Sequence, residues 1–332
     1  MNVPVIDVHT HMLSREFLAV LKEHGGPIYS VEDVPVLGGT SQAIHKNGAM
    51  FMTLFEEMFD YDLRLQKMND AKVDIAIVSL TCPNVYWGDV EISASTARLI
   101  NDNMIFEQSR NPDRIRFLCS LPWQYPEEAI KELDRAVSLG AVGVMVIANI
   151  AEKQLIDPMF APVWEAIDKH SLPVLVHPSL PPGSDFMQLD VYHLAASTGF
   201  LIDTTLAIST MIMDGFFDRY QNLKIIASHG GGTLPYTIGR LDQIWKCVPA
   251  GREKIDRLPS SYMPQIFADS VVYRQSALQL CVAEFGEDNV LYGSDFPHNI
   301  GDMVGILERV DAMAAGPRDK IRSKNAQRIF NL

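Results

Sequence analysis

A pair of histidines separated by one residue stands near the start of the chain, directly after a short apolar run with β-branched residues. The run from Val5 to His11 predicts a first β-strand. Because side chains along a strand alternate between its two faces, His9 and His11 point in the same direction. Two imidazoles on one face can bind a single metal ion, although a surface pair without a function would show the same spacing.

Three further residues that could join such a site stand at the carboxyl ends of later predicted strands: His177, His229 and Asp295. Each one alone has an ordinary structural interpretation, as a strand cap, a hydrogen-bonding group in a turn or an ion-pair partner. Taken together, four imidazoles and one carboxylate at four strand ends indicate a site for a Zn²⁺-type ion with nitrogen and oxygen ligands.

The elements that would position these residues alternate between short apolar strands and helical segments along the whole chain. Eight strands are predicted, at residues 5–11, 73–80, 115–121, 142–147, 172–177, 223–229, 266–270 and 290–295. This alternation is typical of an α/β fold of the (β/α)8 TIM-barrel type, whose functional residues lie at the carboxyl ends of the strands. The competing doubly wound sheet is disfavoured because no GxGxxG motif follows the first strand.

The stretch between the first strand and the next predicted helix is too long for an ordinary loop in a compact domain. It spans residues 12–60 and contains Gly25-Gly26 and Gly38-Gly39. Segments of this length are usually functional or carry small elements of their own. We therefore predict a single domain over residues 1–332, with residues 12–60 as an insertion after strand 1 that arches over the active-site mouth.

The composition argues against several classes of function. The 332 residues are 47% hydrophobic and carry a formal net charge of −13, with a pI of about 5.1. Without a cluster of Lys and Arg, this balance argues against binding to nucleic acid or to anionic membranes, but a small anionic substrate remains compatible. No signal peptide is visible, and no apolar run reaches the roughly 18–20 residues of a membrane span. The four cysteines show no CxxC spacing, which predicts reduced thiols and a cytoplasmic protein.

Four motifs carry a resemblance to a known family. They are Ile6-Asp7-Val8-His9-Thr10-His11, Val176-His177-Pro178, Ser228-His229-Gly230-Gly231-Gly232 and Gly293-Ser294-Asp295-Phe296-Pro297. With these motifs the chain resembles the amidohydrolase superfamily. More narrowly, it is similar to the amidohydrolase-2 branch, which includes α-amino-β-carboxymuconate-ε-semialdehyde decarboxylase and related aromatic-acid decarboxylases. The resemblance covers nearly the whole chain and is more specific for the branch than for a substrate.

The resemblance implies that one divalent metal ion, zinc before manganese, is held by His9, His11, His177 and Asp295. It implies that His229 is the acid/base residue beside the metal-bound water, and that the chain forms a homodimer. A metal lowers the pKa of bound water towards about 7, and an imidazole titrates in the same range, so this division of roles is chemically consistent. Asp295 could bind the metal, orient the water, or do both.

The implied activity is the metal-dependent, non-oxidative decarboxylation of an aromatic or unsaturated, muconate-type carboxylic acid. The alternative is a metal-dependent hydrolase or hydratase that uses metal-bound hydroxide on a lactone, an amide or a polarised double bond. A third interpretation, a barrel kept as a binding or scaffold protein, predicts the loss of one or more ligands, whereas all five site residues are present.

The chain departs from the decarboxylase pattern where the substrate carboxylate would bind. Residues 45–51 contain no arginine, and neither do residues 245–248, so both arginines of the family's pattern are absent. Lys46 can replace an arginine as a point charge but not as a bidentate donor. The candidate substrate contacts are Lys46, Phe51, Trp87 and His298, although aromatic residues of a core or lid would look the same.

Overall fold

Eight parallel strands form the central sheet in a computed structural model that describes residues 3–36 and 39–332. In their order across the sheet, which is also their order along the chain, they are β1 (Ile6–His11), β5 (Ile75–Ser79), β6 (Ile115–Cys119), β7 (Gly143–Ile147), β10 (Pro173–His177), β11 (Lys224–Ala227), β12 (Ile266–Asp269) and β13 (Val290–Leu291). Parallel neighbours require a long crossover between them, which the intervening helices provide.

The first strand meets the chain around the last strand and closes the sheet. The Val8 N–H donates to the Tyr292 carbonyl oxygen over 3.0 Å, and the Asp295 N–H donates to the His9 carbonyl oxygen over 2.8 Å. These hydrogen bonds join the two edges of the eight-stranded sheet. The predicted (β/α)8 TIM barrel is therefore confirmed.

Helices cover the outside of the barrel. They are α2 (Tyr61–Ala71), α3 (Val90–Arg110), α4 (Pro126–Ser138), α5 (Ala161–His170), α6 (Phe200–Met213), α7 (Phe216–Arg219), α9 (Leu234–Cys247), α10 (Gln275–Phe285), α11 (Met303–Asp311), α12 (Ala315–Asp319) and α13 (Asn325–Phe330). In α4, for example, Ala129, Leu133 and Ala136 are buried at helical spacing, and Pro126 occupies the first turn, where its missing N–H costs nothing.

The segment between β1 and α2 carries elements of its own. It begins with α1 (Arg15–His24) and continues as an antiparallel sheet of β2 (Tyr29–Val36), β3 (Gly39–Lys46) and β4 (Ala49–Thr53). Asn47 and Gly48 link β3 to β4 with positive φ angles of 52° and 79°, the conformation of a tight hairpin turn. A second small hairpin, β8 (Asn149–Ile150) and β9 (Lys153–Gln154), follows β7.

Two strands end before the candidate site residue that the sequence analysis places within them. The predicted sixth strand reaches His229, whereas β11 ends at Ala227, and the predicted eighth strand reaches Asp295, whereas β13 covers only Val290–Leu291. His229 and Asp295 adopt φ angles of 54° and 58°, which a β-strand cannot accommodate. Both residues nevertheless lie just beyond the carboxyl ends of their strands.

One helical segment within the described residues has the length and composition of a membrane span. An 18-residue window within Val191–Met213 has a mean hydropathy of 1.3, and 39% of that window is buried inside the protein. Its Asp203 side chain is buried and accepts a hydrogen bond from the Ser179 N–H over 2.9 Å. This hydrogen bond joins α6 to the turn that follows β10.

Candidate metal centre

Three imidazoles and one carboxylate converge at the carboxyl ends of the barrel strands. One ligand atom from each of four buried residues lies within 4.8 Å of every other one: His9, His11, His177 and Asp295. The two Nε2 atoms of His9 and His11 are 3.1 Å apart. Asp295 Oδ1 lies 3.3 Å from each of them. The alternation along β1 therefore directs both of its histidines to the same point, as the sequence predicts.

The Nδ1 atom of each of the three imidazoles already has a polar partner. His9 Nδ1 lies 2.6 Å from Asp269 Oδ2, and His11 Nδ1 lies 3.2 Å from Ser79 Oγ. His177 Nδ1 lies 2.9 Å from the carbonyl oxygen of Pro178, to which it can only donate. With these bonds made through Nδ1, each ring turns its Nε2 towards the centre of the cluster, the arrangement found around metal-bound histidines.

Burial keeps two of the imidazoles in the form that binds metal. It lowers the pKa of His177 to about 3 and the pKa of His11 well below its usual value, because a buried ring resists protonation. Burial alone would raise the pKa of Asp295, but the polar contacts with the surrounding imidazoles outweigh it and hold this pKa well below its ordinary value. Neutral imidazoles and an ionised carboxylate are the states in which these groups bind metal.

His9 differs from the other two because it faces a second carboxylate. Burial lowers its pKa, but the charge of Asp269 and the hydrogen bond to it prevail and raise the pKa to about 10. A cation that binds at His9 Nε2 must therefore displace a proton from this ring. Asp269 would at the same time keep Nδ1 protonated and fix the direction of the ring.

The donor set fits a divalent metal ion. His177 Nε2 and Asp295 Oδ1 are buried and make no hydrogen bond to any described residue, and they lie 3.9 Å apart. Leaving two buried polar atoms unpaired is costly, and a cation between them would satisfy both. Three imidazole nitrogens and one carboxylate oxygen are ligands that suit zinc and similar divalent ions.

His229 lies beside this cluster and faces its carboxylate. Its Nε2 is 3.4 Å from Asp295 Oδ2, and its ring centroid is 5.4 Å from that of His177. Its buried Nδ1 has no hydrogen-bond partner among the described residues. His229 does not belong to the four-residue group, although its Nε2 faces the carboxylate of that group.

A run of three glycines makes the turn that carries His229 possible. The turn, α8 (Ser228–Gly231), is a single distorted helical turn with left-handed backbone at His229 and Gly230. A Cβ atom on Gly230 would lie 2.6 Å from Val272 Cγ1, and one on Gly231 would lie 2.6 Å from Phe285 Cζ. Any larger residue would have both the wrong backbone preference and no room.

Asp269 is the residue that the sequence analysis missed. Besides its bond to His9, its carboxylate accepts the N–H groups of His229 and Gly230, each over 2.9 Å. A single side chain therefore fixes both a metal-facing ring and the turn that carries His229. The signal was available, because Asp269 ends a barrel strand just as His177 does, but its partners lie 260 and 40 residues away along the chain.

We expect Asp269→Asn to weaken metal binding about 10- to 100-fold, because an amide cannot hold the protonated Nδ1 of His9 as strongly as a carboxylate. Titration of the metal-free protein with Mn²⁺ or Zn²⁺ measures the change. Asp89→Asn is the matched control, because Asp89 caps α3 through the Ile92 N–H and asparagine caps a helix equally well. Unchanged affinity in Asp269→Asn would contradict the role given to this carboxylate.

One of the predicted substrate contacts, His298, lies near the cluster. The His298 ring centroid is 4.9 Å from that of His11, and His298 Nε2 lies 2.9 Å from Thr81 Oγ1. Lys46 lies at the end of β3 in the insertion, and its contact with a substrate stays a prediction.

The other two predicted contacts pack in the manner of core residues. The Trp87 indole N–H donates to the Asn84 carbonyl oxygen over 2.8 Å, and its ring meets Phe17 at a centroid distance of 6.5 Å. Phe51 packs against Tyr29, with ring centroids 6.4 Å apart. Contact of Phe51 and Trp87 with a substrate stays a prediction.

Known proteins with the same fold and similar sequence define the family. The model of the family described as amidohydrolase matches residues 6–332. A curated 2-amino-3-carboxymuconate-6-semialdehyde decarboxylase from Dictyostelium discoideum is 31% identical over 333 residues, which cover 98% of this chain and 91% of the relative. The chain therefore belongs to the amidohydrolase family.

Two solved structures share the fold. The 5-carboxyvanillate decarboxylase LigW from Sphingomonas paucimobilis has the same fold, with a TM-score of 0.87 at 24% identity and complete coverage of both chains. A dihydroxybenzoic acid decarboxylase from Polaromonas sp. JS666, solved with bound manganese and the inhibitor 2-nitroresorcinol, gives a TM-score of 0.81 at 25% identity and covers 100% of this chain and 98% of its own. Together with the curated decarboxylase, this family membership confirms the prediction of a metal-dependent carboxy-lyase.

Proposed function

We propose that this chain is a metal-dependent, non-oxidative decarboxylase of an aromatic or muconate-type carboxylic acid. The observation that carries the proposal is the buried cluster of three Nε2 atoms and one carboxylate oxygen, with His229 facing that carboxylate. The curated relative acts on a carboxymuconate semialdehyde, and the manganese-containing structural neighbour acts on a dihydroxybenzoic acid. Both names point to an acid with a conjugated carbon framework.

The ion in this proposal is a single divalent metal held by His9, His11, His177 and Asp295. The mainly imidazole donor set favours zinc, and the manganese of the Polaromonas protein makes manganese the second candidate. A cation at these atoms would supply the positive charge that binds a carboxylate and stabilises negative charge as CO₂ departs.

The residues of the chain would provide the proton that decarboxylation consumes. The bond between the substrate carbon and its carboxylate breaks, CO₂ leaves, and the bonding electron pair stays on the carbon. In our proposal His229 delivers a proton to that carbon, and solvent then restores the proton. Asp295 Oδ2, 3.4 Å from His229 Nε2, would orient the imidazole for this transfer.

We propose that residues 12–60 cover the mouth of the barrel and select the substrate. Tyr29 of β2 is the register partner of Lys46 of β3. Ile44 and Leu54 of the insertion are buried in the same hydrophobic core as the barrel strands, so the insertion packs against the barrel. Lys46 would bind a substrate carboxylate in place of the arginines that this chain lacks.

We further propose a cytoplasmic homodimer. The cysteines Cys82, Cys119 and Cys281 are buried free thiols, as expected in a reducing compartment. Several aromatic side chains are almost fully exposed to solvent; the exposed fraction is 94% for Phe186 and 91% for Tyr192. Such side chains suit a surface that is covered by a second subunit.

A panel of carboxylic acids tests the proposed reaction. We expect the metal-loaded protein to release CO₂ from at least one of 2,6-dihydroxybenzoate, 5-carboxyvanillate and 2-amino-3-carboxymuconate-6-semialdehyde, and the metal-depleted protein to release none. Benzoate serves as the control acid, because it lacks a neighbouring hydroxyl or oxo group. Ring opening or addition of water without CO₂ would show that the enzyme is a hydrolase or hydratase instead.

A further inference from the structure

A fully buried arginine lies directly behind the first strand. Arg64 of α2 has no solvent exposure, and no other arginine or lysine side chain in residues 3–36 and 39–332 is buried to this degree. Burying a guanidinium is costly unless its donors are satisfied. Burial lowers the pKa of Arg64 only to about 10, so the side chain keeps its charge at neutral pH.

The guanidinium of Arg64 donates hydrogen bonds to β1, the strand that carries His9 and His11. Nη1 donates to Thr10 Oγ1 over 2.7 Å, and Nη2 donates to the carbonyl oxygen of His11. Nε faces the sulfur of Met12. Arg64 thus contacts three consecutive residues, Thr10, His11 and Met12, and His11 is a predicted metal ligand.

The same contacts extend to the chain beside Asp295. The Thr10 hydroxyl donates to the carbonyl oxygen of Phe296 over 2.8 Å, and the His11 N–H donates to the same oxygen over 2.8 Å. The guanidinium carbon lies 5.0 Å from the centroid of the Phe296 ring. Arg64 therefore ties β1 to the residue that follows Asp295, at the seam where the barrel closes.

The seam also contains a buried carboxylate, that of Asp7. Asp7 accepts hydrogen bonds from the Ser294 hydroxyl over 2.5 Å and from the Ser294 N–H over 3.1 Å. Burial raises the pKa of this carboxyl to about 6, although the hydrogen bond from Ser294 and the charge of Arg64 both lower it. Asp7 and Arg64 thus hold the residues on both sides of Asp295 against β1.

We propose that Arg64 is a positioning residue for the metal centre, which fixes His11 and Asp295 at their separation through Thr10 and Phe296. The proposal rests on the proposed function, because it requires a metal at the cluster. Arg64 does not touch the ligand atoms themselves. Its planar guanidinium can donate to acceptors on neighbouring residues of the strand at the same time. The single ammonium group of a lysine cannot do this.

The positive charge of Arg64 should weaken metal binding, whereas its positioning of the ligands should strengthen it. Because the two effects have opposite signs, they can be separated. A nearby positive charge repels a metal cation, and its removal alone would tighten metal binding. If positioning dominates, removing the guanidinium weakens binding instead. In that case Arg64→Lys, which keeps the positive charge but loses the planar guanidinium, also binds metal more weakly.

The test compares Arg64→Lys and Arg64→Met with Arg114→Lys. Arg114 makes the same type of bond, donating to the carbonyl oxygens of Asp74 and Val73, but at the amino-terminal end of β5. We expect Mn²⁺ to bind about 10- to 100-fold more weakly to both Arg64 variants, the range seen when a residue that orients a metal ligand is replaced. Arg114→Lys should bind Mn²⁺ as the unaltered protein does.

A spectroscopic measurement distinguishes positioning from a general loss of stability. With Mn²⁺ at saturation, the EPR spectrum of the Arg64 variants should change because the ligand geometry is altered, whereas that of Arg114→Lys should not. Equal affinity and an unchanged spectrum in both Arg64 variants would overturn the role of Arg64, as would tighter binding in Arg64→Met. Failure of the unaltered protein to bind one equivalent of Mn²⁺ or Zn²⁺ would instead overturn the proposed metal site.

Discussion

Replacing His229 with asparagine lowers kcat about 10²- to 10⁴-fold, the usual contribution of a positioned acid or base, while the metal content stays close to one ion per chain. The reason is geometric. His229 stands outside the four-residue cluster, and its Nε2 faces Asp295 Oδ2 at 3.4 Å. Steady-state decarboxylation kinetics and elemental analysis of the same preparation measure the two quantities.

The control for this substitution is His193→Asn. His193 is exposed, and its φ of 55° is nearly the same as the 54° of His229. Asparagine tolerates this left-handed backbone better than most residues, so both variants should fold. We expect His193→Asn to keep full activity. If His229→Asn lost its metal along with its activity, His229 would be a ligand and the proton-transfer role would be wrong.

Replacing His177 with alanine has the second large effect, the loss of the metal itself. His177 Nε2 is buried and without a partner among the described residues, and alanine removes one of the four donor atoms of the cluster. We expect metal content after dialysis to fall below about one tenth of an equivalent. Activity should fall at least about 10³-fold, because the lost electrostatic stabilisation is worth several kcal/mol.

His170→Ala serves as the control for His177→Ala. His170 lies at the end of α5 on the outside of the barrel and pairs with Asp134 over 2.8 Å. Its removal should leave metal content and activity unchanged. A His177→Ala protein that retained a full equivalent of metal would contradict the assignment of His177 as a ligand.

The sequence alone predicts the part of the site that follows from local periodicity. His9 and His11 share a face because side chains alternate along a strand, and His177 ends β10 in the position expected for a functional residue of a barrel. The convergence of these residues follows from the fold once the strands are identified. His229 and Asp295 were placed at the correct ends of their strands, although both lie in turns.

The supporting residues could not be predicted in this way, because their partners are distant in sequence. Asp269 contacts His9 from 260 residues away, and Arg64 contacts the carbonyl oxygen of His11 from 53 residues away. In the sequence, Arg64 is a polar residue of a helix, and a charged helical residue is normally exposed. Only the packing of α2 against the closing seam shows that it is buried.

The measurement that tests the central claim most directly is the fate of the carboxyl carbon in heavy water. The metal-loaded protein is incubated in D₂O with a substrate from the panel that carries ¹³C in its carboxylate. We predict equal amounts of ¹³CO₂ and of a product with one deuterium at the carbon that lost the carboxylate. A product that retains the ¹³C label and gains oxygen from solvent would contradict decarboxylation and show hydrolysis or hydration.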